Sequence, residues 1–238
     1  AFAKSGAIVN RIKGNYVESV RTAADVAEAN GYYIVSDTSY EGYTDIPKDV
    51  MQGYTVMVDE AMKQMEEVPT HVFLQGGVGG FPAAVVSYLV ESLDCPPIFV
   101  IIEPTNADCL FQSAVNSEPT VVHGDLDTVM AGLACGEVSL LAGSILESYV
   151  PHFLSIQDDS ISITKQLLVS RDKPIVSGES AVAGLAGFLI AFNDDNLKSK
   201  LMLNENSRIL FLGTEGDTDE TMYEKIVGRS AKEVLKGS

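Results

Sequence analysis

The 238-residue chain is 46% hydrophobic and 21% charged, a globular balance long enough to bury a substantial core. Its formal net charge of −17 argues against nucleic acid or an anionic membrane as partner, since both need clustered lysine and arginine. The cysteines (Cys95, Cys109, Cys135) form no CxxC pair and the histidines (His71, His123, His152) have no ligand spacing, which excludes a disulfide framework or zinc site and fits a reducing, cytoplasmic compartment; no apolar run nears the ~20 residues of a membrane span.

Ala7 to Ile12 predicts a short strand ending at Lys13-Gly14. Asn15 with Glu18 has the form of a capping box, and Val17, Val20, Ala24 and Ala27 follow at helical spacing. Gly31 ends that helix and Tyr32 to Val35 predicts a second strand, so the opening reads as a β-α-β unit. A polar and aromatic segment, Asp37-Thr38-Ser39-Tyr40-Glu41-Gly42-Tyr43, follows. Pro47 suits the first turn of a long helix whose predicted buried stripe is Val50, Tyr54, Met57, Ala61 and Met65. A domain boundary is placed near residue 45.

From His71 the pattern alternates. Strand 71–74 leads through glycines to helix 82–93, and strand 98–102 ends at Glu103-Pro104. Helices are predicted near 106–115, 127–134, 140–150 and 158–168, with a close-packed apolar helix from Ser177 to Phe192. Strand 208–212 ends in the turn Gly213-Thr214-Glu215-Gly216-Asp217-Thr218, before a last helix from about Asp219. Strands alternating with helices imply an α/β fold, a mostly parallel sheet with helices on both faces.

The stretch Gln75-Gly76-Gly77-Val78-Gly79-Gly80-Phe81 joins a strand to a helix start. Glycines let the backbone approach an anion, and the first amides of a helix are unpaired at the positive end of its dipole. A phosphorylated small molecule is the expected ligand; the bland alternative is a tight turn that binds nothing. A dinucleotide site, with Glu103 on the ribose, fails because Pro82 takes the fingerprint's third glycine position. A nucleotide P-loop fails because no Gly-Lys-Ser/Thr follows.

Asp37 closes a predicted strand, where ligands of open α/β sheets bind, as a carboxylate able to take a proton or pair with an ammonium; otherwise it caps or turns. Ser177-Gly178-Glu179-Ser180 reads as a helix start, with Ser177 capping and Glu179 on the dipole, or as part of a site. The Gly213–Thr218 turn reads locally as a solvated loop. His123 and Cys109 are assigned no role, and no G-x-S-x-G elbow is present.

Taken in order, these segments resemble one family, the diaminopropionate ammonia-lyases, pyridoxal-phosphate enzymes of the tryptophan-synthase-β fold group (fold type II). The resemblance is carried by Asp37 to Tyr43, Met51-Gln52-Gly53-Tyr54, Gln75 to Gly80, Glu103-Pro104 through Cys109, Met130 to Glu137, Ser177 to Ser180, and Thr214 to Asp219. Phe81-Pro82 and Glu137-Val138-Ser139-Leu140 depart from the family pattern.

The resemblance implies elimination of ammonia from 2,3-diaminopropionate, with no metal, in a homodimer. It implies that Gly76, Gly77, Val78, Gly79 and Gly80 hold the phosphate of pyridoxal 5′-phosphate, that Thr214 meets its pyridine nitrogen, that Asp37 is catalytic and faces the amino-acid substrate, and that Glu179 is a secondary substrate contact. Such enzymes hold the cofactor through a Schiff-base lysine in a more N-terminal segment, and Lys4, Lys13, Lys48 and Lys63 do not sit in that context. The chain therefore reads as the C-terminal two thirds of the family: residues 1–45 a remainder of the smaller domain, 46–238 the larger cofactor-binding domain. A fragment or a degenerate copy is expected, poorly soluble alone or dependent on a partner.

Overall fold

Two apolar runs, His71–Gln75 (β1) and Ile98–Pro104 (β2), form the centre of the sheet because they are buried on both faces. The computed structural model describes residues 6–14 and 16–236. Four parallel strands lie in the order β3-β2-β1-β4, with β3 at His152–Ile156 and β4 at Ile209–Phe211. Val72 pairs with Phe99 and with Leu210, and Ile102 with Leu154.

Alternate residues of the central strands serve two cores. Val72, Leu74, Phe99 and Ile101 face α2 (Asp45–Gln64), α3 (Gly80–Ser92) and α5 (Leu140–Tyr149). Phe73, Val100 and Ile102 face α6 (Asp159–Val169), α7 (Ala183–Asn193) and α8 (Asp195–Lys200). Each such fully buried side chain contributes roughly 1.5–3 kcal/mol of transfer free energy. α7 sits so close to the sheet that a Cβ on Gly184 would lie 2.5 Å from the Phe73 carbonyl. A smaller cluster joins α9 (Glu220–Val227) and α10 (Ala231–Lys236) to the end of α6 through Val169, Tyr223, Val227 and Val234.

Several sequence expectations change. Residues 7–12 and 32–35 belong to no strand among the described residues, and Tyr32, Tyr33 and Val35 are exposed, because a strand needs a neighbour to take its amides and carbonyls. Between them α1 (Tyr16–Asn30) forms, and Val20, Ala24 and Ala27 turn inward as predicted; Asn15 lies outside the described residues. The most buried residues of α2 are Pro47, Met51 and Val58, beside the predicted stripe, of which Tyr54, Met57 and Ala61 pack partly buried against the same core. The helix expected near 127–134 reduces to one 3-10 turn, Ala131–Leu133. Residues 177–182 are a buried loop, and the helix there starts only at Ala183. α4 (Cys109–Asn116) starts later than predicted, whereas β3 and α8 are additions.

Candidate active site

β1 ends at Gln75 and the chain turns into α3 through Gly76 to Gly79. Gly77 and Gly79 have φ of 73° and 97°, a region comfortable only for glycine. Gly76 is constrained by space, since a Cβ there would lie 2.5 Å from Glu103 Cγ. All residues from Gly76 to Gly80 are buried. The Gly76 amide serves the sheet, donating to Ile102 O at 2.9 Å, so Gly76 supplies shape rather than a free donor. The Val78 amide faces the Cys135 thiol. The amides of Gly77, Gly79 and Gly80 find no acceptor among the described residues. Buried donors left unpaired are rare and costly, and these stand at the positive end of a 13-residue helix. That arrangement suits a phosphate.

The structure brings Asp37 to this loop. A Cβ on Gly80 would lie 3.7 Å from Asp37 Cβ and 3.8 Å from its Oδ2. Two serines a hundred residues apart hold it there. The Ser39 amide donates to Ser139 Oγ at 2.9 Å and the two hydroxyls bond at 2.8 Å, while the Ser139 amide donates to Val78 O at 2.9 Å. The Asp37 carboxylate forms no ion pair among the described residues; the Thr38 hydroxyl is 3.4 Å from its Oδ1. Burial first, and the Asp37 charge after it, raise the Tyr54 phenol above its ordinary range. Burial and the same charge push the Cys135 thiol up to about 12. A half-buried carboxylate thus faces two neutral acids and the helix start, and it is free to meet an ammonium or a proton.

Thr214 follows β4 and meets the loop from the other side. Gln75 Nε2 donates to Thr214 Oγ1 at 2.8 Å and to Leu212 O at 2.9 Å. With one lone pair so engaged, the Thr214 hydroxyl keeps its proton for an acceptor such as a ring nitrogen.

Other acidic candidates are committed elsewhere. Glu179 is buried in an ion pair with Lys165, which explains its position better than a dipole contact does. Glu103 is turned away from any ligand: its Oε2 accepts from the Phe111 amide at 2.7 Å and its Oε1 from Leu110 at 3.2 Å, capping α4. Burial lifts the Glu103 carboxyl to about 8, against the pull of those two amides. The dinucleotide reading fails on this geometry as well as on Pro82. Cys109 is a neutral packing group, its thiol raised chiefly by burial. A cavity of about 1040 Å³ is not lined by the glycine loop; it opens beside Thr38 and Ser39, between α1, α4 and α5. Among the described residues no cluster could hold a metal ion, and no helix is long and apolar enough to cross a membrane.

A family model described as pyridoxal-phosphate dependent enzyme matches residues 2–215. The chain belongs to that family.

Its relatives among the pyridoxal-phosphate enzymes are specific. It is 41% identical over 224 residues to the diaminopropionate ammonia-lyase of Escherichia coli strain K12, a match covering 90% of this chain and 56% of that protein. The crystal structure of the Escherichia coli diaminopropionate ammonia lyase in complex with an aminoacrylate-PLP azomethine reaction intermediate aligns with a TM-score of 0.84 at 37% identity, over 91% of this chain and 57% of that one. A weaker likeness, 26% over 235 residues, links it to a probable D-serine dehydratase of Bacillus cereus, covering 88% of this chain and 50% of that protein. The chain spans little more than half the length of the curated relatives it matches. The parallel sheet under helices is the tryptophan-synthase-β-like, fold type II architecture.

The residues present fit the family's cofactor. The unpaired amides of Gly77, Gly79 and Gly80 suit its phosphate, and the Thr214 proton suits its ring nitrogen. Gln75, Ser39 and Ser139 stood inside the quoted motifs but were given no role of their own from the sequence. Gln75 carried a usable signal, as the polar residue ending a buried strand just before the glycines; the two serines carried none.

Proposed function

We propose that the protein acts in pyridoxal-phosphate-dependent α,β-elimination of ammonia from 2,3-diaminopropionate, in which diaminopropionate and water become pyruvate and two ammonia molecules. The observation that carries this reading is the placement of Asp37 against Gly80, at the start of the helix whose amides await a phosphate. Bound there, pyridoxal phosphate supplies an electron sink for the carbanion chemistry. The chain's own residues position and protonate. Gly77, Gly79 and Gly80 hold the phosphate through their amides, with Gly76 and Val78 shaping the turn. Thr214, oriented by Gln75, offers a hydroxyl rather than a charge to the ring. Asp37 faces the substrate as the carboxylate that pairs with an amino group or takes up a proton. Glu179 acts on the site from a distance, through the loop it anchors.

Residues 1–45 serve as the remainder of a smaller domain and 46–238 as the larger, cofactor-binding domain. The working form is a cytoplasmic homodimer with a small amino acid as substrate. The experiment is 2-oxo-acid release by the full-length protein, as pyruvate from diaminopropionate or serine and as 2-oxobutanoate from threonine. Turnover of diaminopropionate but not of threonine supports the reading. The D-serine dehydratase likeness supports a second reading, dehydration of a serine-like amino acid, and selective turnover of serine would replace the first with it. No turnover of any amino acid by the cofactor-loaded protein would leave a binding protein without catalysis.

A further inference from the structure

A buried ion pair lies behind the site. Lys165, on the inward side of α6, is 1% exposed and Glu179 is 7% exposed, and the Lys165 Nζ meets Glu179 Oε1. The same ammonium sits over the Tyr223 ring, 4.3 Å from its centroid. Taking two opposite charges out of water costs so much that an apolar pair of similar volume is often as stable or more so. Stability alone therefore gives little reason for this pair.

What the pair anchors is the loop 177–180, buried throughout. That loop is a joint. On one side the Gly132 amide donates to Ser180 Oγ at 2.9 Å, which docks the 3-10 turn Ala131–Leu133. That turn walls the glycine loop: a Cβ on Gly77 would lie 3.5 Å from Gly132 O and 3.7 Å from Leu133 Cδ2. On the other side the Gly178 amide donates to Glu215 O at 2.9 Å and the Ser180 amide to Glu215 Oε2 at 3.3 Å. Glu215 belongs to the turn that carries Thr214. Hence one buried loop touches both the wall beside the phosphate amides and the turn that presents the hydroxyl. The carboxylate in its middle is held by a fixed cation, Lys165, itself pinned between Glu179 and the Tyr223 ring.

We propose that the Lys165–Glu179 pair is a positioning device that keeps the phosphate end and the ring end of the cofactor site in register. The inference rests on the cofactor reading given above. Lys165 touches neither cofactor nor substrate; it works through Glu179 and Ser180.

The test separates positioning from stability. Replacing both partners, as Lys165→Met with Glu179→Met, removes the charges while filling the space. The expected result is a melting temperature within a few degrees of wild type, with an affinity for pyridoxal phosphate, measured by absorbance titration, weaker by roughly 10-fold, the scale on which supporting residues act on a bound group. Wild-type melting together with wild-type affinity in that double variant would overturn the proposal. Should the double variant not fold, Ser180→Ala cuts the relay to Gly132 without disturbing the charges. It is expected to weaken pyridoxal phosphate binding several-fold, and unchanged affinity there would equally overturn the proposal. Failure of the wild-type protein itself to bind pyridoxal phosphate would count against the cofactor reading instead.

Discussion

Glu103 makes the sharpest pH prediction. Its carboxyl is 1% exposed and raised from an ordinary 4.5 to about 8, burial being the first cause. The folded protein thus holds this proton more tightly than the unfolded chain does. The stability it contributes is complete below about pH 4.5, falls as the pH rises, and is gone above about 8. A gap of about 3.5 pH units, at about 1.4 kcal/mol per unit, makes the effect about 5 kcal/mol at most. Glu103→Gln removes the titration and still accepts the Phe111 amide through its carbonyl. Its NH₂ turned toward the Leu110 amide loses the second bond, a loss of about 1 kcal/mol. The variant should therefore be slightly less stable than wild type at pH 5 and more stable by several kcal/mol at pH 9. Urea denaturation of both proteins from pH 5 to 9 reads this as two curves that cross. Parallel curves would refute the reasoning and mean that the α4 amides hold Glu103 ionised throughout.

Asp37→Asn should leave the melting temperature nearly unchanged, since among the described residues the half-buried carboxylate has only the long Thr38 contact, while kcat of the full-length protein falls by roughly 10²–10⁴-fold; a variant that keeps its kcat would remove Asp37 from the chemistry. Ser139→Ala strands the buried Ser39 amide and should cost about 1–3 kcal/mol in denaturant titration. Loss of that staple should also raise KM, and an unchanged stability would mean that the Asp37 segment is held by other contacts. Gly79→Ala forces a side chain into φ 97° against Ala142 and Leu146, at about 1–2 kcal/mol for the backbone alone, and should weaken pyridoxal phosphate binding; wild-type affinity would show that the loop tolerates a different shape.

What could be read in advance was whatever a short window of residues carries. β1, the glycine loop, α3 and β2 came from apolar runs punctuated by glycines, and the two faces of the sheet follow from strict alternation in Val72-Phe73-Leu74 and Phe99-Val100-Ile101. β3 escaped because His152-Phe153-Leu154-Ser155-Ile156 is a half-buried edge strand between two helical patterns. Residues 7–12 and 32–35 have strand-like composition, but no described strand pairs with them; composition proposes a strand and only a neighbour makes one. In the site, glycine spacing marked the loop, whereas Asp37 was picked from the end of a strand, 32–35, that does not form among the described residues; its nearness to Gly80 goes with the Ser39–Ser139 contacts instead. The Ser39–Ser139 staple and the Lys165–Glu179 pair had no sequence signature, because each joins residues whose meeting depends on the whole sheet being assembled. Glu103 shows the converse: it stood where a ribose-binding acid belongs, and the fold spent it on capping α4.

The most direct measurement follows the backbone amides of the protein by ¹⁵N–¹H NMR as pyridoxal phosphate is added. If the loop holds the phosphate, the Gly77, Gly79 and Gly80 resonances move together, downfield in proton shift and saturating with the cofactor's binding curve. If those three stay still while amides elsewhere respond, the phosphate is held by other groups and the site described here is not the cofactor's.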